Sequence, residues 1–216
     1  MLARHADKGR WVIDEEELRG KLPVEKANLV ITTLEENFPD WKETPLKLDG
    51  IARSIELGDT VFEMLPNRSV LVVCDSGKDR AKLTSALTEN EIGRCETKHN
   101  SEHPDDKKRI DMVHLDGVEI NKLLQDSDDS TWLPYAEMIE KENISESEAI
   151  FRWLNDMNKP DNGVDPKIAP AESARRYRQL VHLVHANNKG IESGVPVVLL
   201  GVGHSGSLGQ VKYEEG

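Results

Sequence analysis

The segment Ser69-Val-Leu-Val-Val-Cys-Asp-Ser-Gly-Lys-Asp-Arg80-Ala-Lys-Leu-Thr84 decides the fold that we predict for this chain. Residues 70–74 are continuously apolar, which is typical of a β-strand that is covered on both faces. A Ser-Gly turn follows the strand, and a helix is predicted over residues 79–87. A buried strand that turns directly into a helix is the basic unit of an α/β domain.

Strands and helices alternate on either side of this segment. Further apolar, strand-like runs occupy residues 2–3 and 195–202, and helical spacing of apolar residues predicts helices over 50–65 and 171–187. Such an alternation predicts an α/β fold, a three-layer α/β/α sandwich with a mostly parallel central sheet. A length of 216 residues fits a single domain over residues 1–216.

Composition and charge limit the classes of function. The net charge of −12 argues against general nucleic-acid binding, which needs a basic surface. No apolar run approaches the length of a membrane span, and the two cysteines, Cys74 and Cys95, suggest no disulfide framework. We therefore expect a cytoplasmic protein that binds neither nucleic acid nor membranes.

Four short motifs occur in a fixed order along the chain. They are Arg4-His5-Ala6, then Pro45-Leu46-Lys47 followed by Gly50, then Ser76 through Arg80-Ala81 to Thr84, and finally His204 after a late apolar run. In this order the chain resembles the histidine phosphatase superfamily, which includes the cofactor-dependent phosphoglycerate mutases and many small phosphatases. The resemblance covers nearly the whole length and implies a phosphoglycerate mutase-like fold. Ala6 departs from the family pattern, which has glycine at that position.

The resemblance also implies roles for the residues in these motifs. His5 is expected to attack phosphorus and form a phosphohistidine, which divides one difficult step into two easier ones. Arg4 and Arg80 are expected to hold the phosphoryl oxygens, because a guanidinium is planar and permanently charged. His204 is expected to donate hydrogen bonds to the same oxygens. The implied activity is that of a phosphomonoesterase that needs no cofactor.

The leaving oxygen also needs a proton donor. In one branch of the family a carboxylic acid directly follows the second histidine, but this chain has Ser205 there. The resemblance therefore favours the other branch, in which the acid comes from the segment after the Arg80 helix. The candidates are Glu102, Asp111 and Glu119, and we favour Glu102 because it follows a short strand-like piece at residues 94–99.

Two stretches look like additions to the common frame. Residues 9–41 are longer than the usual link in the family and contain a helix candidate over 24–38. Residues 127–166 carry a capping box from Ser145 to Glu148, which predicts a helical insertion that either covers the pocket or extends the core. The first strand-like run has only Leu2 and Ala3 before Arg4, and twelve residues follow His204, so we expect truncated termini.

The remaining histidines could indicate a metal site. They are His99, His103 and His114 in mid-chain, and His182 and His185 near the end. Pro104 argues against a regular helix through the first pair, and no zinc-binding spacing is present, so we predict no metal.

Two alternatives to a phosphatase stay open. Mutases that resemble this family carry Glu-Ser and then Asn shortly after the first histidine, whereas His5 is followed by Ala-Asp-Lys-Gly-Arg-Trp. A pseudoenzyme that binds a phosphorylated ligand without turnover is the second alternative. The expected partner is a phosphorylated small molecule or a phosphoprotein.

Overall fold

The computed structural model describes residues 2–4, 11–38, 43–124, 141–143, 168–187 and 194–203. Within these ranges the strands are β1 (Leu2–Arg4), β2 (Trp11–Val12), β3 (Glu43–Thr44), β4 (Arg68–Asp75), β5 (Arg109–Leu115) and β6 (Val197–Gly203). The helices are α1 (Glu15–Lys21), α2 (Val24–Asn37), α3 (Leu48–Met64), α4 (Asp79–Glu102), α5 (Val118–Leu124) and α6 (Ile168–Asn187).

The central sheet of the described ranges has four strands in the order β1-β6-β4-β5. Every adjacent pair in it is parallel. A two-stranded antiparallel sheet of β2 and β3 lies apart from it. Helix α4 connects β4 to its parallel neighbour β5, as a parallel pair requires a crossover. The predicted α/β class and the mostly parallel sheet are confirmed.

Helices cover both faces of the central sheet. On one face, α3 and α4 pack on the strands through a core cluster that includes Val61, Leu71, Val73, Ile92 and Leu200. On the other face, α5 and α6 pack on the strands through a cluster that includes Val70, Val72, Leu124, Leu180 and Val184. Successive residues of a strand point to opposite faces, so β4 is apolar without alternation. The predicted three-layer sandwich is confirmed.

The N-terminal helices α1 and α2 pack on the outer side of α3 and α4. This third cluster includes Leu18, Val30, Leu34, Ile51 and Leu83, all fully buried. The helix predicted over 24–38 is confirmed as α2. The described part of residues 9–41 therefore contributes α1 and α2 to the core, on the face of the sheet that α4 covers.

One expectation about the middle of the chain was wrong, and one strand there was not predicted. Residues 94–99 are not strand-like, because α4 continues without a break from Asp79 to Glu102. No proline interrupts the helix before Pro104, which follows its end. The strand at this point of the chain is β5, which was not predicted because it is an edge strand with mixed apolar and polar residues.

The predicted insertion at 127–166 lies outside the described residues except for 141–143. In the ranges that the structure describes, none of the helices combines the length and the apolar character needed to cross a bilayer.

Candidate functional site

The carboxyl ends of three strands meet at one edge of the central sheet. In the parallel register, Arg4 at the end of β1 lies opposite Gly203 at the end of β6. Asp75 at the end of β4 lies opposite Val202, and the Ser76 backbone N–H donates to the Val202 carbonyl at 3.0 Å. This edge is where open parallel sheets bind their ligands.

The two predicted histidines directly follow these strand ends in sequence. His5 follows Arg4, and His204 follows Gly203. Both histidines, and the side chain of Arg4, lie outside the described residues. The described backbone brings together the strand ends from which the predicted site residues extend.

Arg80 is brought to the same edge by a tight turn between β4 and α4. Asp75 Oδ1 accepts a hydrogen bond from the Gly77 N–H at 2.6 Å, which closes the turn. Gly77 has φ +74°, and a Cβ built there would lie 2.7 Å from Asn121 Nδ2, so the turn favours glycine. Arg80, the second residue of α4, is partly buried in the first turn of the helix.

Glu102 is not brought to this edge. It is the last residue of α4, whose 24 residues begin beside the carboxyl end of β4. A helix of that length spans about 36 Å at 1.5 Å per residue. The exposed end of α4 lies near the start of β4, where His99 Nε2 bonds the Asp106 carbonyl and Asn67 bonds the Asp106 side chain. The favoured proton donor is therefore separated from the other predicted site residues.

Of the other two candidate carboxylates, Asp111 lies away from this edge, whereas the backbone of Glu119 follows the carboxyl end of β5. Asp111 is an exposed residue of β5 that lies opposite Val70, near the start of β4, and its side chain pairs with Arg109 at 3.2 Å. Glu119 lies in the first turn of α5, and its side chain is outside the described residues.

A cavity of about 420 Å³ opens beside the carboxyl ends of β4 and β5. Its lining comes from the end of α2, one side of α4 and the two strand ends, and consists of Glu36, Asn37, Asp75, Lys82, Ala86, Glu89, Asn90, His114 and Asp116. We call Asp75, Glu89, His114 and Asp116 the edge cluster.

His114 is the centre of the edge cluster. Its Nδ1 lies 2.8 Å from Glu89 Oε1, and its Nε2 lies 3.4 Å from Asp75 Oδ2. The hydrogen bond with Asp75, then that with Glu89, raises the pKa of His114 to about 10 against the opposing effect of burial. Both ring nitrogens face carboxylates, so the imidazole is a cation that carries a proton on each nitrogen.

Asp116 also lines the cavity and is exposed. Its Oδ1 accepts hydrogen bonds from Asn121 Nδ2 at 3.1 Å and from the Gly117 N–H at 2.8 Å. The Asn121 bond, with the Gly117 bond second, lowers the pKa of Asp116 below its usual value. Asp116 is therefore an ionised carboxylate near neutral pH.

Sequence reasoning missed the edge cluster as a group. A signal was present, because Asp75 directly ends the buried strand and Asp116-Gly117 directly follows the next strand of the sheet. Polar residues at these positions lie at the ligand-binding edge of a parallel sheet. The signal was lost because β5 itself was not predicted.

A second charged group lies between α2, α3 and α4, and we call it the buried ion network. It consists of Lys26, Asp59, Glu91 and Arg94. The Glu91 side chain is fully buried, and it contacts Arg94 Nη2 at 2.6 Å and Lys26 Nζ at 3.2 Å. Lys26 also contacts Asp59.

The buried ion network includes atoms that could hold a metal ion. Among the described residues, the ligand atoms of Asp59, Glu91 and Cys95 form such a group, because they lie within 4.8 Å of one another. Lys26 and Arg94 already neutralise both carboxylates. Burial first and the Glu91 charge second raise the pKa of Cys95 to about 12, so the thiol is protonated. The arrangement is that of a structural ion network.

The other histidines considered in sequence are separate from the edge. The rings of His99 and His103 stack with centroids 4.7 Å apart at the far end of α4. His182 is exposed on α6, and the side chain of His185 lies outside the described residues. Of the mid-chain histidines, His114 alone lines the cavity.

Comparison with known proteins adds no assignment to this geometry. No protein-family model matches the chain, and no curated protein sequence matches it.

Proposed function

We propose that this chain is a phosphomonoesterase that acts through a phosphohistidine intermediate on a phosphorylated small metabolite or a phosphoprotein. One observation carries the proposal. The strand ends that precede His5 and His204 are paired, with Arg4 opposite Gly203, and β4 and the start of α4 lie directly beside them. The motif order predicts a shared site, and the strand ends next to the motifs lie at one edge of the sheet.

In this proposal each motif residue has one task. His5 attacks phosphorus with a ring nitrogen, and the bond from phosphorus to the leaving oxygen breaks. Arg4 and Arg80 bind the equatorial oxygens, on which negative charge is spread in the transition state. His204 donates a hydrogen bond to the same oxygens. Water then attacks the phosphohistidine and releases phosphate.

The position of Arg80 supports its proposed task independently. It lies in the first turn of α4, where backbone N–H groups without helical partners and the helix dipole favour an anion. The residue is held there by the turn through Gly77. A guanidinium at such a position can bind two phosphoryl oxygens at once.

Composition supports the proposed substrate class and compartment. The net charge of −12 disfavours nucleic acids as substrates. Cys74 and Cys95 are both free thiols, which fits the reducing cytoplasm. We therefore propose a cytoplasmic enzyme for small or protein-borne phosphomonoesters.

The test is hydrolysis of 4-nitrophenyl phosphate by the full chain, together with trapping of the phosphoenzyme. We expect steady turnover and an acid-labile, alkali-stable phosphate on His5. Substituting His5→Ala should lower kcat by roughly 10³-fold or more and abolish trapping. His182→Ala is the matched control, because His182 is exposed on α6, away from the sheet edge.

Each other result identifies a different function. Trapping without steady turnover, with turnover restored by a bisphosphate primer, would favour the mutase. Phosphate binding without trapping would favour the pseudoenzyme. Turnover that survives His5→Ala would overturn the assignment of the nucleophile.

A further inference from the structure

We propose that His114 is the proton donor to the leaving oxygen, in place of the carboxylic acid that the motif order led us to expect. This inference rests on the proposed phosphomonoesterase function. It is carried by the position of His114 in the cavity, by its two carboxylate partners and by the charge state of its neighbours.

His114 lies at the same edge of the sheet as the paired ends of β1 and β6, with β4 between β5 and β6. It is opposite Val73 on β4, and its Nε2 is 3.4 Å from Asp75, the residue that is itself opposite Val202 of β6. Neighbouring strands are about 4.8 Å apart, so β5 and β6 are separated by roughly 10 Å. A phosphomonoester bound at the paired ends of β1 and β6 would reach His114 through a leaving group that extends past the end of β4 into the cavity.

The two ring nitrogens of His114 have different partners. Nδ1 is anchored by Glu89 at 2.8 Å, an ordinary charge-assisted hydrogen bond. Nε2 is 3.4 Å from Asp75 Oδ2, a longer contact than that between Nδ1 and Glu89. The Nε2 proton can therefore be redirected to a substrate oxygen while Glu89 keeps the ring in place. The side chain is 37% exposed, so a substrate can reach it.

The carboxylates of the cavity are less suited to this task. Asp116 has a lowered pKa and is ionised near neutral pH, so it holds no proton to donate. Asp75 accepts from the Gly77 N–H and is 4% exposed, and Glu89 is engaged with His114. The His114 imidazolium carries a transferable proton at pH 7.

The two steps balance with His114 in this role. In the first step the His5 nitrogen lone pair forms the bond to phosphorus, the bond to the leaving oxygen breaks, and that oxygen takes the Nε2 proton. His114 is then a neutral imidazole. In the second step it takes a proton from the water that attacks phosphorus, and the electron pair of the nitrogen–phosphorus bond returns to His5. The products are an alcohol and phosphate, and His114 is again an imidazolium.

The charge of His114 depends on groups from every element around it. They are Asp75 from β4, Glu89 and Lys82 from α4, Asp116 after β5, and Glu36 from α2. Carboxylates outnumber the single lysine, which favours the imidazolium over the neutral ring. We expect the proton donor to be lost only in the alkaline range.

The decisive experiment compares a poor and a good leaving group. Release of the alcohol from phenyl phosphate and from 2,4-dinitrophenyl phosphate is measured in a single turnover with excess enzyme, which isolates the first step. We expect His114→Gln to slow release of phenol by about 10²- to 10⁴-fold, the usual value of a general acid. The loss with 2,4-dinitrophenyl phosphate should be far smaller, since that anion leaves without a proton. His182→Gln is the control.

Other outcomes overturn the inference. Equal losses on both esters would indicate a purely structural role for His114. A selective loss of phenol release in Asp116→Asn, without one in His114→Gln, would assign the acid to Asp116. If the wild-type chain forms no phosphohistidine, the proposed function itself is refuted. That result is obtained with the wild-type chain alone, before any variant of the cavity is tested.

A second variant keeps the inference testable if His114→Gln does not fold. Glu89→Gln removes the anchor of Nδ1 and one of the two carboxylates that hold the proton on the ring. We expect the alkaline limb of phenol release to move to lower pH by about one unit or more. Release of 2,4-dinitrophenol should show no such shift, and a common shift for both esters would overturn the inference.

Discussion

The edge cluster and the buried ion network use the same residue types in opposite ways. In the buried ion network, Glu91 is fully buried and two cations contact it, so three helices are joined by matched charges. In the edge cluster, two carboxylates contact the imidazole of His114, and a third, that of Asp116, lines the same cavity. Enclosed and matched charges hold helices together, whereas unmatched charges beside a cavity remain available for a ligand.

The shifted pKa values follow the same division. In the buried ion network, burial opposes the charge of Lys26, but the hydrogen bond with Asp59 and the charge of Glu91 outweigh it and raise its pKa. The hydrogen bond with Glu91 likewise raises the pKa of Arg94. Lys26 and Arg94 therefore carry their positive charges at neutral pH. In the edge cluster, the shift in His114 concerns a group that normally titrates near neutral pH.

The largest expected effect on stability is a difference between substitutions of two glutamates of α4, Glu91 and Glu89. Glu91→Ala should lower the free energy of unfolding by about 3–5 kcal/mol, because Lys26 and Arg94 lose their shared buried carboxylate. Glu89→Ala, the matched change in the edge cluster, should cost about 1 kcal/mol or less, because its side chain is 20% exposed. Urea unfolding at pH 7 measures both. Equal losses would contradict the contrast between the two regions.

A smaller effect is expected where α3 approaches Glu91. A Cβ at Gly58 would lie 2.6 Å from Glu91 Cβ and 3.0 Å from the Thr88 carbonyl oxygen. Gly58→Ala should therefore lower the free energy of unfolding by about 1–3 kcal/mol, despite the better helix propensity of alanine. Gly20→Ala in α1 is the control, since nothing lies within 4 Å of its Cβ. It should be neutral or stabilising, and a loss at Gly20 equal to that at Gly58 would refute the steric explanation.

The edge cluster should reveal itself in the pH dependence of stability. The pKa of His114 is raised to about 10 in the folded protein, above its value of 6.5 in an unfolded chain. The imidazolium with its carboxylates therefore stabilises the fold fully below pH 6.5, and this contribution is lost as pH rises toward 10. After allowance for the screening of a side chain that is 37% exposed, it is worth about 1 kcal/mol.

The measurement compares urea midpoints of the wild type and His114→Gln at pH 6 and pH 9. The difference between the two proteins should shrink as pH rises. A constant difference would mean that the charge of His114 does not stabilise the fold.

The smallest effect concerns the thiol beside the buried ion network. Because the pKa of Cys95 is raised to about 12, its alkylation by iodoacetamide at pH 8 should be at least about tenfold slower than that of a free cysteine. Asp59→Asn removes the carboxylate that accepts from the thiol and should raise the rate severalfold. Mass spectrometry of the Cys95 peptide follows the reaction. An unchanged rate in Asp59→Asn would refute the proposed electrostatic protection.

Much of the fold could be predicted because its signals are local. The apolar run of β4, the turn through Gly77 and the helical spacing of α2, α3 and α6 each lie within a short window of sequence. Periodicity also fixed the sheet class, because a strand apolar at every position must be covered twice. The length of α4 was underestimated because its mean composition is polar, and its apolar residues form a narrow stripe.

In the candidate site, too, the residues marked by local motifs were predicted and those brought together by tertiary contacts were not. The order of the motifs led us to name Arg4, His5, Arg80 and His204. The structure shows that the strands next to these residues in sequence, β1, β4 and β6, are neighbours in the sheet. Glu102 was favoured from a misread strand, and the structure separates it from that edge. His114 was considered only as a metal ligand.

The sequence by itself determined which strands are buried on both faces and which residues follow their carboxyl ends, since both depend on neighbours in the chain. Only the tertiary structure decided that Asp75, Glu89 and His114 contact one another beside a cavity. It also decided which residues form the buried ion network. These contacts join residues from different strands and helices. Their charges are set by distance and burial, which no local pattern of residues specifies.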